Sequence, residues 1–298
     1  LAAVCLTAVF GVHRGIERLS TCLMPIFFLL MIGLAAYSLL LPGSEAGLAY
    51  LFQFSWSTVT PQAILNAMGF TFFSLSLGAG VLVTYGAYVN KSTRLPAAAM
   101  WVAILALQAA ILAGLVIMPA VFAYGLEPDA GPGLVFITLP MIFAQLSGGS
   151  VVAVIFYFCL FVAALTSAVS LLEVAVAFLQ NECRFSRRAA VFLCFAALFI
   201  LGSVSALSFG PWSDCLIFGR SIFDFLDYVC TNFLMTINGL AVAFVVGWKA
   251  WPKAMKELST CSPENGVVTK GTLSAIGFGL RWLAPLMVLA SCWQGLEA

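Results

Sequence analysis

The sequence predicts an all-α integral membrane protein, and three properties of the chain support this fold class. Hydrophobic residues make up 63% of the 298 residues and charged residues only 8%, whereas a soluble domain carries about 25% charged residues. The apolar residues are grouped into eight segments, and most basic residues lie in alternate loops between them. Long apolar segments in lipid must satisfy their own backbone hydrogen bonds, which favours helices.

The hydrophobic segments are separated by short polar turns. They run roughly over residues 1–12, 21–41, 61–89, 96–124, 150–179, 187–208, 222–248 and 271–295. A membrane-spanning helix needs about 20 apolar residues, so the first segment is too short to cross a bilayer. Because the chain also begins at Leu1, without Met, we expect a fragment whose N-terminal part is missing.

The basic residues predict the orientation of the segments. Eleven of the thirteen Lys and Arg residues fall in one set of alternate loops: Arg14, Arg18, Lys91, Arg94, Arg184, Arg187, Arg188, Lys249, Lys253, Lys256 and Lys270. The other loops hold acidic residues and a single basic residue, Arg220. Since basic loops face the cytoplasm, we expect a multi-pass protein of the cytoplasmic membrane with these eleven charges inside.

The composition also limits the classes of function. A net charge of +1 gives no global field that would attract nucleic acid. The nine cysteines are scattered without a CxxC pair, and we interpret them as small buried hydrophobes. His13 is the only histidine, so the sequence contains neither a nucleophile–His pair nor an HExxH motif. We therefore expect a protein that is not an enzyme.

One apolar segment is interrupted in its own middle. Residues 66–89 read NAMGFTFFSLSLGAGVLVTYGAYV, with Ser74, Ser76, Gly78 and Gly80 at the centre. Irregular backbone at membrane depth is tolerated where it is buried in protein or lines a cavity. The pattern predicts a broken helix and a transporter-like binding site near the bilayer midplane.

The external connection 128–149 is itself apolar, with the sequence PDAGPGLVFITLPMIFAQLSGG. A water-exposed loop of that composition is unfavourable, because its apolar side chains would remain hydrated. Two interpretations are open: a re-entrant or lid-like segment folded onto the bundle, or a loop that packs on the outer surface.

A second polar group occurs in segment 150–179. Ala163, Thr166 and Ser167 have the i, i+3, i+4 spacing that places them on one helix face. Their oxygens could hold an alkali cation, but on spacing alone Ser and Thr more often bond back to their own helix. Glu173 lies in the same span, where an ionisable side chain is a functional candidate or part of a structural hydrogen bond. Asp224 and Asp227 open the segment 222–248, as partners of the helix dipole or as a gate at the mouth of an outer cavity.

Together these motifs resemble the neurotransmitter:sodium symporter family, in its bacterial sodium-dependent amino-acid transporter branch. FFSLSLGAG and TYGAYV resemble the family's sixth helix, GLVFITLPMIF its external lid loop, FVAALTSAVSLLEV its eighth helix and FDFLDYV the start of its tenth. The resemblance implies an inverted-repeat transporter fold with a discontinuous sixth helix. It makes 1–298 one transmembrane domain, a fragment from part of the family's helix four to helix eleven, with helices one to three absent.

The resemblance also implies roles for individual residues. It places sodium at Ala163, Thr166 and Ser167, in the family's second sodium site, and assigns Ser74 to the first. Asp227 matches the acidic residue of the outer gate, whose arginine partner belongs to the absent first helix. The residues that match the substrate pocket are Phe73, Ser74, Ser76, Ala79, Ser167 and Leu171.

Three positions depart from the family pattern. Ala106 stands where many relatives have an Asn or Asp ligand for the first sodium, with Gln108 close by, so that site is weak, rearranged or lost. Ala110 and Phe70 stand where chloride-dependent relatives have polar ligands, and we expect no chloride requirement. Alanine at position 79 enlarges the pocket, which favours a large apolar or aromatic amino acid.

The sequence therefore predicts sodium-coupled symport of amino acids across the cytoplasmic membrane by alternating access. The alternative is a non-transporting amino-acid sensor or a degenerate membrane protein, which would bind ligand without flux. The amino acid, the number of sodium ions, the role of Glu173 and the oligomeric state do not follow from these patterns.

Overall fold

The computed structural model describes residues 1–56, 59–90, 93–126, 133–260 and 270–297. Within these residues the chain forms fourteen α-helices and one two-stranded antiparallel hairpin. In chain order they are α1 (Ala2–Val9), α2 (Arg18–Leu39), α3 (Ser44–Phe52), α4 (Pro61–Ser74), α5 (Val81–Gly86), α6 (Leu95–Ala123), α7 (Leu139–Gln145), α8 (Gly149–Asn181), α9 (Arg187–Leu207), β1 (Leu216–Ile217), β2 (Arg220–Ser221), α10 (Ile222–Tyr228), α11 (Thr236–Phe244), α12 (Trp251–Thr260), α13 (Lys270–Phe278) and α14 (Ala284–Glu297).

Short π-helical stretches join several of these helices. They are Val12–Glu17, Leu134–Thr138, Val229–Met235, Val245–Lys249 and Gly279–Leu283. Two of them continue α10 and α11 into one 28-residue span, Ile222–Lys249. Wider turns of this kind leave backbone groups outside the regular α pattern and occur often at functional sites.

Six helical spans within the described residues are long and apolar enough to cross a membrane: Arg14–Leu39, Leu95–Ala123, Gly149–Asn181, Arg187–Leu207, Ile222–Lys249 and Leu273–Ala290. They coincide with six of the eight predicted segments, which confirms the expected multi-pass membrane protein. The predicted segment 1–12 forms the short helix α1. The predicted segment 61–89 is divided between α4 and α5, as the Ser and Gly residues at its centre indicated.

The chain divides into two compact units. The first contains Ser57–Ala103 and Glu173–Ala298 together with Leu1, and the second contains Ala2–Trp56 and Ile104–Leu172. Within the first unit, α14 packs against both α4 and α11. The hairpin turns at Phe218 and Gly219, both with positive φ, which is the backbone geometry that suits a two-residue turn.

The second unit has its hydrophobic core between α2, α6, α7 and α8. Helix α3 packs very closely on α6, because a Cβ at Gly47 would lie 2.6 Å from the Cα of Pro119. Buried residues from the four helices, from the adjoining π-helical stretch and from the turn after α7 form this core: Met31, Leu34, Ala35, Val116, Ala120, Val121, Leu134, Leu139, Ile142, Phe143, Leu146, Phe156 and Cys159.

The apolar connection predicted over residues 128–149 is helical and packed from residue 133 onward, and residues 128–132 lie outside the described residues. Leu139 and Ile142 of α7 are fully buried in the core of their unit. The hydroxyl of Tyr157 on α8 donates to the carbonyl of Val135 at 2.8 Å, and the hydroxyl of Tyr37 on α2 donates to that of Ser147 at 3.1 Å. Its proposed role as an external lid stays a prediction.

Candidate substrate and ion sites

The helix break in the first unit begins where α4 ends at Ser74. Helix α4 starts with a well-formed cap, in which the Thr60 hydroxyl accepts a hydrogen bond from the amide of Ala63 and Pro61 occupies the first turn. After Ser74 the chain leaves helical geometry, with Ser76 at φ +52° and Gly80 at φ +76°. Left-handed residues end a helix because the regular i to i−4 hydrogen bonds cannot continue through them.

The break is held by the span that contains α11. The side-chain amide of Asn238 donates to the carbonyl of Gly78 at 2.8 Å. Gly78 is buried directly against the backbone of Met235, where a Cβ would overlap the carbonyl group. Met235 is the last residue of a π-helical stretch. Close packing and one side-chain donor therefore stabilise irregular backbone that would be costly in lipid.

The four pocket residues predicted in this segment lie at the break itself. Phe73 and Ser74 form the last residues of α4, and both are exposed. Ser76 and Ala79 lie within the interruption and are half-buried. The hydroxyls of the exposed Ser74 and the half-buried Ser76, together with the C-terminal end of the half-helix, give this region partial negative charge. Such a site suits an ammonium group or a small cation.

The predicted sodium ligands of α8 lie in the second unit. The hydroxyl of Thr166 lies 3.0 Å from the carbonyl oxygens of both Ala163 and Val162 and donates toward them. Back-bonding of this kind is the structural alternative raised by the sequence, and the same contact brings two oxygens of the predicted cation site together. Ser167 and Leu171, one turn apart, are both exposed.

Asp227 lines a polar cavity of about 380 Å³ beside the hairpin in the first unit. Its carboxylate lies 3.5 Å from the hydroxyl of Thr231. In the same cavity the guanidinium of Arg220 stacks 4.2 Å above the ring of Tyr228. Asp224 also lines it, and its carboxylate accepts from the Ser221 hydroxyl at 2.6 Å. The cavity thus combines acidic groups with one arginine that sequence reasoning had not placed there.

Glu173, fully buried on α8, is ion-paired in the first unit. Arg187 at the start of α9 donates to both carboxylate oxygens, from Nη2 to Oε2 at 2.6 Å and from Nη1 to Oε1 at 3.1 Å. The Tyr88 hydroxyl donates to Oε1 at 3.2 Å, and the Gln180 side chain accepts from Arg187 at 3.1 Å. The contact is the structural hydrogen bond that the sequence had offered as one of two interpretations.

Sequence reasoning missed several of these partners. Asn238 and Gly78 are 160 residues apart, and no local pattern joins them. Arg187 was counted only as a cytoplasmic charge, although a buried carboxylate within a span requires a cation nearby. For the contact with Gly78, the signal in the sequence was Asn238 itself, a polar residue in the middle of an apolar segment.

These features define the class of protein: a multi-pass membrane protein with a discontinuous helix, as in secondary transporters. A sequence model of the sodium:neurotransmitter symporter family matches residues 1–269. The chain therefore belongs to this family, which consists of transporters and not of enzymes.

Relatives place the chain in the bacterial branch. A protein of Haemophilus influenzae named an uncharacterized sodium-dependent transporter is 38% identical over 281 residues, which cover 94% of this chain and 60% of the relative. A Bacillus subtilis protein named uncharacterized sodium-dependent transporter YhdH is 34% identical over 289 residues, which cover 97% of this chain and 63% of the relative. The chain thus spans about 60% of the length of these relatives.

The crystal structure of MhsT in complex with L-phenylalanine superposes on this chain with a TM-score of 0.86 at 40% sequence identity. The match covers 99% of this chain and 66% of the solved one. Agreement of this extent confirms the predicted inverted-repeat transporter fold with its discontinuous helix.

Proposed function

We propose that the complete protein is a sodium-coupled amino-acid symporter that works by alternating access in the cell membrane. The interruption between α4 and α5 carries this proposal, because irregular backbone inside an apolar segment is tolerated where it lines a cavity or is buried in protein, and secondary transporters bind substrate and ions at such breaks. The family and the names of the bacterial relatives support transport driven by sodium.

The substrate we propose is a large apolar or aromatic amino acid. Phe73, Ser74, Ser76 and Ala79 surround the break, and the partial negative charge at the end of α4 suits the substrate's ammonium group. The small side chain of Ala79 leaves room beside the backbone. The related MhsT was crystallised with L-phenylalanine, which agrees with a substrate of this size. Ser167 and Leu171 are further pocket residues by resemblance.

The coupling ion is proposed to bind α8. The carbonyl of Ala163 and the hydroxyl of Thr166, 3.0 Å apart, can face one cation together with the exposed hydroxyl of Ser167. A small hard cation favours such oxygen ligands. Each sodium ion that moves inward gains about 2.3 kcal/mol per 100 mV of membrane potential, in addition to its concentration gradient.

The side chains near Ser74 bear on whether a second sodium ion and a chloride ion take part in transport. Ala106 on α6 offers no side-chain oxygen to complete the Ser74 site. Ala110 and Phe70 lack polar side chains where chloride-dependent relatives have ligands, and both are exposed. We propose transport with one sodium ion, at Ala163, Thr166 and Ser167, and without chloride.

Two elements are proposed as external gates. Asp227, exposed in its polar cavity, is the acidic member of an outer gate. The packed segment from Leu134 to Gln145 is the lid, whose outward face carries the exposed side chains of Phe136, Ile137 and Met141.

Uptake by the full-length protein in proteoliposomes tests the proposal. A panel of labelled amino acids is offered with and without an inward sodium gradient, in chloride and in gluconate. We expect sodium-driven accumulation of aromatic and large aliphatic amino acids that is independent of chloride. Sodium-dependent binding without accumulation would instead indicate a sensor.

Variants of α8 test the ion site separately. Thr166→Val and Ser167→Ala should raise the sodium concentration needed for half-maximal uptake, because each removes one ligand oxygen. Ser150→Ala, an exposed position at the start of the same helix, is the matched control. Unchanged sodium activation in both ligand variants would show that sodium binds elsewhere.

A further inference from the structure

Helix α12, which follows the span Ile222–Lys249, is amphipathic. At about 3.6 residues per turn, Trp251, Ala254, Met255 and Leu258 fall on one face with the i, i+3, i+4, i+7 spacing. The opposite face carries Lys253, Lys256 and Glu257. An apolar face and a basic face on one short helix are typical of helices that lie in a membrane interface.

The start of α12 is firmly packed against the last described span. A Cβ at Gly277 would lie 2.6 Å from Cζ2 of Trp251, so the indole ring rests directly on α13. The guanidinium of Arg281 lies 5.4 Å from the centre of the same ring. The Nε of Arg281 donates to the carbonyl of Gly247 at 2.6 Å, and Gly247 lies in the π-helical stretch before α12. These contacts fix the direction in which the helix leaves the membrane span.

Beyond Trp251 the apolar face is only partly covered by the residues that the structure describes. Met255 is 42% exposed, while Ala254 and Leu258 are half-buried. Next to the helix, the rings of Trp248 and Trp282 meet edge to face at 6.0 Å, and both are largely exposed. Tryptophan is concentrated at the boundary between hydrocarbon and headgroups. Exposed aromatic surface of the adjoining spans therefore lies beside the start of α12.

Two exposed lysines near the start of α12 carry the positive charge that anionic lipid headgroups attract. Lys249 is the last residue of the span and is exposed, and Lys253 is exposed on the polar face of α12. Both belong to the set of basic loops that the positive-inside rule assigns to the cytoplasm. The cytoplasmic leaflet carries the negative surface potential of acidic lipids, and basic residues that follow a span directly are attracted to it.

We propose that α12 lies in the cytoplasmic membrane interface and binds the headgroups of anionic phospholipids through Lys249 and Lys253. Met255 and the remainder of the apolar face insert among the acyl chains, while Trp251 and Arg281 hold the helix against α13. The site shares no residue with the predicted substrate and sodium sites, and it does not depend on transport.

Native mass spectrometry of the full-length protein tests the proposal. Phosphatidylglycerol and phosphatidylcholine of equal chain length are titrated into the detergent-solubilised protein, and the bound lipid is counted. We expect phosphatidylglycerol to bind more tightly than phosphatidylcholine. The double variant Lys249→Gln/Lys253→Gln should bind phosphatidylglycerol about 30-fold more weakly, roughly fivefold for each lysine. Lys249→Arg/Lys253→Arg should restore binding, because it restores both charges.

The matched control is Arg188→Gln, which removes one exposed cytoplasmic charge at the start of α9. It should leave phosphatidylglycerol binding unchanged. An equal loss of phosphatidylglycerol binding in the control and in the double variant would mean that any cytoplasmic charge attracts the lipid, which would overturn the proposal. Unchanged phosphatidylglycerol binding in the double variant would also overturn it.

A second variant tests the apolar face. Met255→Asp places a charge among the acyl chains, so it should weaken phosphatidylglycerol binding although both lysines remain. Far-ultraviolet circular dichroism verifies that the helical content is retained. Wild-type binding in this variant would place α12 in water and contradict the interfacial position.

Discussion

The carboxylate of Glu173 and the guanidinium of Arg187 form a two-point ion pair that joins the end of α8 to the start of α9. The two N–O distances are 2.6 and 3.1 Å, and the Glu173 side chain is fully buried whereas that of Arg187 is 22% exposed. Paired in this geometry, the charges satisfy each other's hydrogen bonds. The pair therefore links two consecutive helices through two charge-assisted hydrogen bonds.

We expect Arg187→Met to destabilise the protein by about 3–5 kcal/mol, because it leaves the Glu173 carboxylate buried without its cation. Thermal unfolding of the full-length protein in detergent measures the loss. Arg188→Met, at the exposed neighbouring position, is the control and should change little. Glu173→Gln combined with Arg187→Met should recover most of the stability, and a double variant as unstable as the single one would contradict this account.

Removal of the Asn238 side-chain donor should loosen the helix break. Asn238→Ala leaves the Gly78 carbonyl without the partner seen at 2.8 Å, at a cost of about 1–3 kcal/mol. We expect weaker amino-acid binding, measured by scintillation proximity with the full-length protein. Asn66→Ala on α4, an exposed asparagine, should bind normally. Equal affinity in both variants would show that this hydrogen bond does not support the site.

A methyl group at Gly78 should distort the backbone between α4 and α5, because it would overlap the backbone of Met235. Gly78→Ala places a Cβ against the backbone of Met235, so one of the two segments must move. Gly86→Ala is the matched control, since a Cβ there meets nothing within 4 Å. We expect loss of amino-acid binding in the first variant and wild-type binding in the second. Normal binding by Gly78→Ala would mean that the contact with Met235 adjusts at little cost.

The apolar external segment should open more readily when its hydrogen bond to α8 is removed. Tyr157→Phe deletes the 2.8 Å bond to the carbonyl of Val135 and keeps the ring, which costs about 0.5–1.5 kcal/mol. Hydrogen–deuterium exchange over residues 134–145 should become faster. Tyr50→Phe, at a 58% exposed position, should leave exchange unchanged. Identical exchange in both variants would show that Tyr157 does not restrain the segment.

The spans and the helix break could be predicted from the sequence for local reasons. Membrane spans depend on the length of apolar segments, and orientation depends on the basic residues beside them. The interruption at Ser76 and Gly80 was visible because polar and glycine residues stand where a simple span has none. The predicted pocket residues Phe73 and Ser74 lie at that interruption in the structure, although their role as ligands stays a prediction.

The tertiary structure alone decided which side chains pair with the buried carboxylate of Glu173 and with the backbone carbonyl of Gly78. The partner of Glu173 could have been any nearby cation until packing selected Arg187. Composition and periodicity determined that this chain enters a membrane and where one helix breaks, because those properties act on each segment separately. The cation for Glu173 was decided by the packing of two consecutive helices, and the donor for Gly78 by a contact between segments 160 residues apart. Neither partner follows from the properties of one segment taken by itself.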